Sequence, residues 1–168
     1  TAEKKPLPDG LWIKCERCGE IIYRNQLQSR MHVCPKCDYH FRVNSRDYIS
    51  YIFDKDSFQE FNDHIAPGDP LKFKDKKRYT DRLKDAQKKT NLKDAVVTGY
   101  ATIKGQRVVG AIMDFTFIGG SMGSVVGEKI TRMIERAVNR DAPVLIGSAS
   151  GGARMQEGIF SLMQLAKT

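Results

Sequence analysis

The sequence predicts an α/β domain preceded by a small zinc ribbon. Three features carry that prediction: two Cys-x-x-Cys pairs between positions 15 and 37, apolar patterning that turns strand-like from Ala95 onward, and two glycine-rich loops that each open onto a helical pattern. The ribbon comes first in the chain. Cys15-Glu-Arg-Cys18 and Cys34-Pro-Lys-Cys37 are two knuckles at the separation typical of structural zinc modules, and each tight turn aims two thiolates at one point. Four thiolates close a tetrahedral shell with no open position for water or substrate, so the metal they bind is structural. Gly19 follows the first knuckle, where a positive φ is often required. Leu11, Trp12, Ile13, Ile21, Ile22, Val33 and Phe41 are the apolar residues available for its strands, too few to build a core without a metal. Two disulfides or a redox pair are the rival readings. The polar N-terminus, without an apolar leader-like run, argues against the first, and the lack of a βαβ pattern around either pair argues against the second. His32 and His40 lie near the cysteines and read as exposed ribbon residues.

The chain has 168 residues, a length that accommodates one respectable core and a small accessory module. A formal charge of +8 suits nucleic acid, an anionic substrate or an acidic partner without choosing among them, and no single basic arm carries it. No apolar run reaches the length of a bilayer span, so no membrane association and a cytoplasmic location are expected. The organisation expected is a ribbon over residues 1–44, a helical, charged connector over 45–93, and a larger domain over 94–168 whose helical pattern runs to Thr168 without a terminator.

In the connector, Ser45 reads as the N-cap of a helix carrying Ile49, Ile52 and Phe53 on one face. Ala66-Pro-Gly-Asp-Pro70 is a turn, Lys72 to Arg78 a lysine-rich run, and 80–90 an exposed, charged helix. His64 sits here, away from the larger core, and is not a candidate base.

From Ala95, residues 95–103 and 108–117 read as a hairpin turning at Gly105, its second strand buried on both faces. Ile118-Gly-Gly-Ser-Met-Gly-Ser124 is a glycine-rich loop leading into a helix with Val126, Ile130, Met133 and Ala137 on its buried face, followed by the strand Pro143–Gly147. A second loop, Ser148-Ala-Ser-Gly-Gly-Ala153, opens a second helix whose buried face is expected to hold Ile159, Leu162, Met163 and Ala166. Backbone N–H groups at such loop-to-helix junctions suit a phosphate or an oxyanion. Neither loop matches a dinucleotide fingerprint or a P-loop, and glycines of this kind also serve close helix-on-strand packing. This part of the chain has no histidine and no serine elbow, and Asp114, Glu128, Glu135, Asp141 and Glu157 show no acid/base spacing. A site built from backbone donors is what remains.

Phe115-Thr-Phe-Ile-Gly-Gly-Ser-Met-Gly-Ser-Val-Val-Gly127, followed by Ser148-Ala-Ser-Gly-Gly-Ala-Arg-Met-Gln-Glu-Gly158, closely resembles the β subunits of bacterial acetyl-CoA carboxylase carboxyltransferases, and the four-cysteine ribbon fits the same family. The resemblance implies a crotonase-like spiral of ββα units, here partial, and a heterotetramer of two α and two β subunits. It also implies carboxyl transfer to acetyl-CoA, giving malonyl-CoA for fatty-acid synthesis, from biotin on a separate carrier protein in an ATP-dependent holoenzyme with a biotin carboxylase. Within that picture Gly151 and Gly152 are chosen as the backbone oxyanion donors, Gly119 and Gly120 border the acyl-CoA, and Cys15, Cys18, Cys34 and Cys37 hold structural zinc; Arg154 suits an anionic group of the substrate and equally a pairing with a neighbouring carboxylate. An enolate formed from the acetyl group is what such donors would stabilise, with biotin itself accepting the proton. Two other readings are a carboxyltransferase for a different acyl-CoA and a zinc-ribbon nucleic-acid binder. The second draws on Lys72, Lys74, Lys76, Lys77 and Arg78, with Tyr23, Tyr39 and Phe41 as a modest aromatic complement.

Overall fold

A computed structural model describes residues 10–168, which fall into two compact units that meet in sequence at Val43 and Asn44. In the first, β1 (Trp12–Lys14) pairs antiparallel with β2 (Ile21–Tyr23), and a one-and-a-half-turn helix, α1 (Arg24–Ser29), follows. Its small core is Ile22 and Leu27 packed on the buried Cys15 and Cys34, with Tyr39 and Phe41 alongside. Leu27 enters from α1, an element that the strand-based reading of the ribbon does not contain. His40 is exposed, as expected.

The second unit is a four-stranded sheet in the order β3 (Gln59–Phe61), β4 (Val96–Ile103), β5 (Gln106–Met113), β6 (Val144–Gly147). β4 and β5 form the expected hairpin, turning through Lys104 and Gly105, both at positive φ, as a two-residue primed turn needs. From Val108 onward β5 is continuously buried. The helix α4 (Ser124–Val138) carries the chain over to β6, which pairs parallel with β5, so β4, β5 and α4 make one ββα unit with the next strand laid beside it. Val126, Ile130, Met133 and Ala137 all face the core from α4, at the expected helical steps.

The segment from 45 to 93 joins this same unit. It supplies α2 (Ser45–Ile52), the edge strand β3 and α3 (Tyr79–Thr90), whose Tyr79, Leu83 and Ala86 enter the main core. α2 is capped by Asn44, whose side chain accepts the Asp47 N–H, and not by Ser45. Ser45 is fully buried and donates both its N–H and its hydroxyl to Asp114 at 2.8 Å. The face of the sheet away from α4 is covered by Phe53 and Phe58, with ring centroids 5.3 Å apart. They fit because Gly99 and Gly110 sit opposite each other in the hairpin: a Cβ at Gly110 would lie 2.7 Å from the Phe53 ring and one at Gly99 2.5 Å from the Phe58 ring.

The last helix, α5 (Ile159–Met163), corrects the sequence-based expectation. Ile159, Leu162, Met163 and Ala166 are exposed, while Ser161 and Gln164 are buried. The small side of the helical segment approaches α4, where the Gln164 side chain lies where a Cβ of Gly127 would be, and its apolar side turns outward. Periodicity identified an apolar face but could not say against which body it rests.

Candidate functional site

The four ribbon cysteines converge. Their Sγ atoms lie within 4.8 Å of one another, with Cys15 to Cys37 at 3.7 Å and Cys18 to Cys34 at 3.8 Å. A tetrahedron with metal–sulfur bonds of about 2.3 Å has edges of about 3.8 Å, and two of the thiol pairs already stand at that length. Burial resists ionisation of Cys34, but N–H groups of Lys36 and Cys37 and the neighbouring thiols bring its pKa down to about 7. The aromatics considered for nucleic acid are engaged: Tyr39 and Phe41 pack edge to face at 5.1 Å beside the cysteine cluster, and Tyr23 lies 5.4 Å from Trp12.

In the second unit the two glycine-rich loops meet at the carboxyl ends of β5 and β6. Three backbone bonds join them: Gly151 N–H to the Gly119 carbonyl (2.9 Å), Met122 N–H to the Gly152 carbonyl (2.8 Å), and Arg154 N–H to the Met122 carbonyl (2.9 Å). The approach is so close that a Cβ on Gly120 would stand 2.0 Å from the Ala149 carbonyl oxygen. Gly119, Gly120, Gly151 and Gly152 are thus brought together, as the sequence anticipated.

Two expected roles change. Neither Gly151 nor Gly152 presents a free N–H: the first is held by Gly119, and the second donates to the Ser150 hydroxyl at 3.0 Å. Arg154 is turned inward. Its side chain is fully buried, with Nη1 on Asp94 (2.9 Å) and on the Tyr79 hydroxyl (3.2 Å), Nη2 on Asp94 and on the Ser121 carbonyl (2.6 Å), and Nε on the Ser121 hydroxyl (3.1 Å). A guanidinium out of water needs a counterion and acceptors for its whole fork, and this cage provides both. Burial acts against its charge, but Asp94 more than restores it, holding the pKa above the ordinary arginine value.

The cage extends to Glu157. One of its oxygens accepts the Tyr79 hydroxyl (2.7 Å), and the other accepts the N–H of Ser124, the first residue of α4 (2.6 Å), where a carboxylate also meets the positive end of the helix dipole. Burial pushes the Tyr79 pKa up, keeping the phenol protonated as a donor. Lys129, also buried, reaches the Val96 carbonyl (3.3 Å), and burial lowers its pKa against the pull of Asp94. Sequence reasoning missed Asp94 and Tyr79, which lie 60 and 75 positions from Arg154, and the only local hint was Glu157 three residues after the arginine.

What faces outward is therefore backbone and small side chains. Ser148, Ser150, Gly151 and Ala153 are exposed, and beside them a mostly apolar hollow of about 180 Å³ is lined by Tyr48, Ile52, Ile112, Met113, Gly147, Ser148 and Ala149. The one histidine of this unit, His64, is exposed beside Asp63, away from the loops in sequence. Such a shelf can polarise an oxygen, and the side chains it adds are the hydroxyls of Ser148, Ser150 and Tyr48, with no carboxylate, imidazole or amine among them.

The carboxyl transferase domain family matches residues 42–168, and the acetyl-CoA carboxylase zinc finger domain matches residues 12–37. The acetyl-coenzyme A carboxylase carboxyl transferase subunit beta of Prochlorococcus marinus (strain MIT 9515) is 57% identical over 159 residues, which are 95% of this chain and 54% of that protein. Its counterpart from Synechococcus sp. (strain RCC307) is 55% identical over 95% of this chain and 55% of its own length. The chain thus spans about half the length of the curated relatives it matches. Among solved structures, transcarboxylase 12S with methylmalonyl-coenzyme A and methylmalonic acid bound superposes with a TM-score of 0.62 at 32% identity, over 75% of this chain and 22% of that one. The Pseudomonas malonate decarboxylase MdcD–MdcE heterodimer gives 0.53 at 26% identity, over 74% and 44%.

Proposed function

The chain belongs to the carboxyl transferase domain family, and from that premise we propose that it is the acyl-CoA-binding part of an acetyl-CoA carboxylase carboxyltransferase β subunit, which carboxylates acetyl-CoA to malonyl-CoA in fatty-acid biosynthesis. The observation that carries the reading is the shelf of two interlocked glycine loops, whose outward face consists of backbone and an apolar hollow, with no carboxylate, imidazole or amine side chain. That suits a reaction whose difficulty is charge developing on a thioester oxygen.

Gly152 is the donor assigned to that oxygen. Its N–H is capped only by the hydroxyl of exposed Ser150, which can swing away and leave the N–H to the substrate. The Gly151 N–H, bound to Gly119, holds the loops in register, although rearrangement of that bond would free a second donor. An oxyanion donor fixed before reaction stabilises the enolate more than the ground-state carbonyl, which is what raises the rate. The apolar hollow beside Ala149 is suited to the short acyl group or the arm that carries it. Carboxybiotin on a carrier protein supplies the carboxyl group and, after releasing it, a proton acceptor. The ribbon is assigned one structural zinc, because four thiols gathered within 4.8 Å of one another supply a full tetrahedral set and leave no open coordination position. The partners that follow are the α subunit in an α2β2 assembly, the biotin carboxyl carrier protein and a biotin carboxylase.

The test is reconstitution. The full-length chain with its α partner is expected to form malonyl-CoA from acetyl-CoA and carboxylated biotin, and neither subunit alone is expected to do so. A reconstituted pair that binds carboxybiotin yet leaves acetyl-CoA unchanged would overturn the assignment.

A further inference from the structure

We propose that the concave side of the segment from Asp69 to Thr80 is a phosphate subsite that takes the 3′-phosphorylated adenosine diphosphate end of the coenzyme A thioester. The proposal rests on the reading of the neighbouring loops as an acyl-CoA site. The segment folds back on itself, with the Tyr79 N–H on the Phe73 carbonyl at 3.0 Å and Lys74 bridged antiparallel to Arg78. This bend encloses a hollow of about 400 Å³ lined by Asp69, Lys72, Phe73, Lys74, Arg78 and Thr80.

The pairing of charges separates this hollow from an ordinary solvated lysine run. Lys77 is paired with Asp85 and Arg82 with Asp75, whereas Lys72, Lys74 and Arg78, the three cations that line the hollow, have no carboxylate partner among the described residues. Asp69, the single acid of the lining, has one oxygen on the Phe73 N–H at 3.0 Å. Three unpaired cations around one concavity repel each other, and an anion placed among them relieves the repulsion. Phe73 adds an aromatic wall, which suits a purine ring as well as the phosphates.

The place in the fold fits the same ligand. Leu71 abuts Gly158, where an added Cβ would lie 3.0 Å from Leu71 Cδ1, and the Tyr79 hydroxyl donates to Glu157 at 2.7 Å. The segment that forms the hollow is thus joined to Glu157 and Gly158, a few residues after Gly152 in the chain.

The experiment compares two thioesters in the assembled full-length enzyme. Acetyl-pantetheine carries the same thioester and arm as acetyl-CoA but lacks the nucleotide. A charge-assisted contact to phosphate at an exposed site is worth about threefold to fivefold. Lys72→Ala/Lys74→Ala/Arg78→Ala should therefore raise KM for acetyl-CoA about tenfold or more while leaving KM for acetyl-pantetheine unchanged. Lys77→Ala, at a cation already paired with Asp85, should alter neither. An unchanged KM for acetyl-CoA in the triple variant, or an equal rise for both thioesters, would overturn the subsite. Direct binding of 3′,5′-ADP separates this result from a failure of the acyl-CoA reading. If wild-type enzyme transfers to neither thioester, that reading fails, whereas the subsite still requires 3′,5′-ADP to bind wild type about tenfold tighter than the triple variant. Equal binding by the two, or tighter binding of inorganic phosphate or an oligonucleotide than of 3′,5′-ADP, would reject it.

Discussion

Substituting Asp94→Ala would remove the only carboxylate that pairs bidentately with Arg154 while leaving the guanidinium sealed in the fold. In the native protein both side chains are fully buried, and the Asp94 carboxylate accepts from Nη1, Nη2 and the Ala95 N–H. The variant strands those three donors and one cation out of water. Breaking a buried pair by removing one partner typically costs about 3–5 kcal/mol. At about 3 °C per kcal/mol for a chain of a few hundred residues, melting should fall by roughly 10 °C. Asp94→Asn keeps the shape but turns an amide N–H toward an arginine N–H, so it should recover only part of the loss. Thermal melts of the full-length protein, with Arg154→Met completing a double-mutant cycle, measure the coupling directly. A melt within about 2 °C of wild type for Asp94→Ala, or a coupling below about 0.5 kcal/mol, would refute the view that this pair locks the loops.

Two further outcomes are expected. Isolated protein should contain one zinc per chain, and Cys34→Ser should lose it and unfold the ribbon while leaving the second unit's melt in place; metal analysis and hydrogen exchange resolved by segment check both. Asp114 is buried, which opposes its charge, but hydrogen bonds from Thr116 and Ser45 win and hold its pKa below the ordinary 3.8. Its stabilising contribution is therefore present above about pH 4 and lost as pH falls through the lowered folded-state value. Asp114→Asn should destabilise at pH 7 by about 1–3 kcal/mol, with the gap from wild type closing on acidification in urea denaturation; a constant gap from pH 7 to pH 3 would contradict the assignment.

Where a pattern repeats locally, the sequence was sufficient. Two Cys-x-x-Cys knuckles defined the thiolate cluster, Gly105 marked the hairpin, and four apolar residues at helical steps fixed the buried face of α4. The misses are of a different kind. β3 is only three residues long, too short to display a period, and its partner β4 begins 35 positions after it ends. The apolar stripe of α5 was read correctly as a stripe but assigned to the wrong side, because Ser161 and Gln164 are the buried residues of this segment and Gln164 lies against Gly127 of α4. Arg154 read equally as a contact for an anionic group and as one half of an ion pair with a neighbouring carboxylate. Its true partner, Asp94, lies 60 residues away in a stretch whose polarity resembles any strand entry, so only the folded chain reveals the pair. The same holds for Gly99 and Gly110, which look incidental until two phenylalanine rings are found lying on them.

The account depends most on the Gly152 N–H as the oxyanion donor, and kcat in the reconstituted full-length enzyme tests that most directly. Gly152 has φ near +122° and open space where a Cβ would go, so an alanine there is strained by the backbone and not by crowding. Gly152→Ala keeps the donor but strains the loop, and should lower kcat moderately. Gly152→Pro removes the N–H altogether and, with φ fixed at about −65°, also forces the loop away from its native +122°; loss of one oxyanion donor alone costs about 10²–10³ in kcat. Both comparisons are made on variants that retain the wild-type subunit assembly and zinc content. The account predicts a fall of at least about 10² for Gly152→Pro, larger than that for Gly152→Ala. A Gly152→Pro enzyme that assembles normally and turns over at the wild-type rate would contradict it.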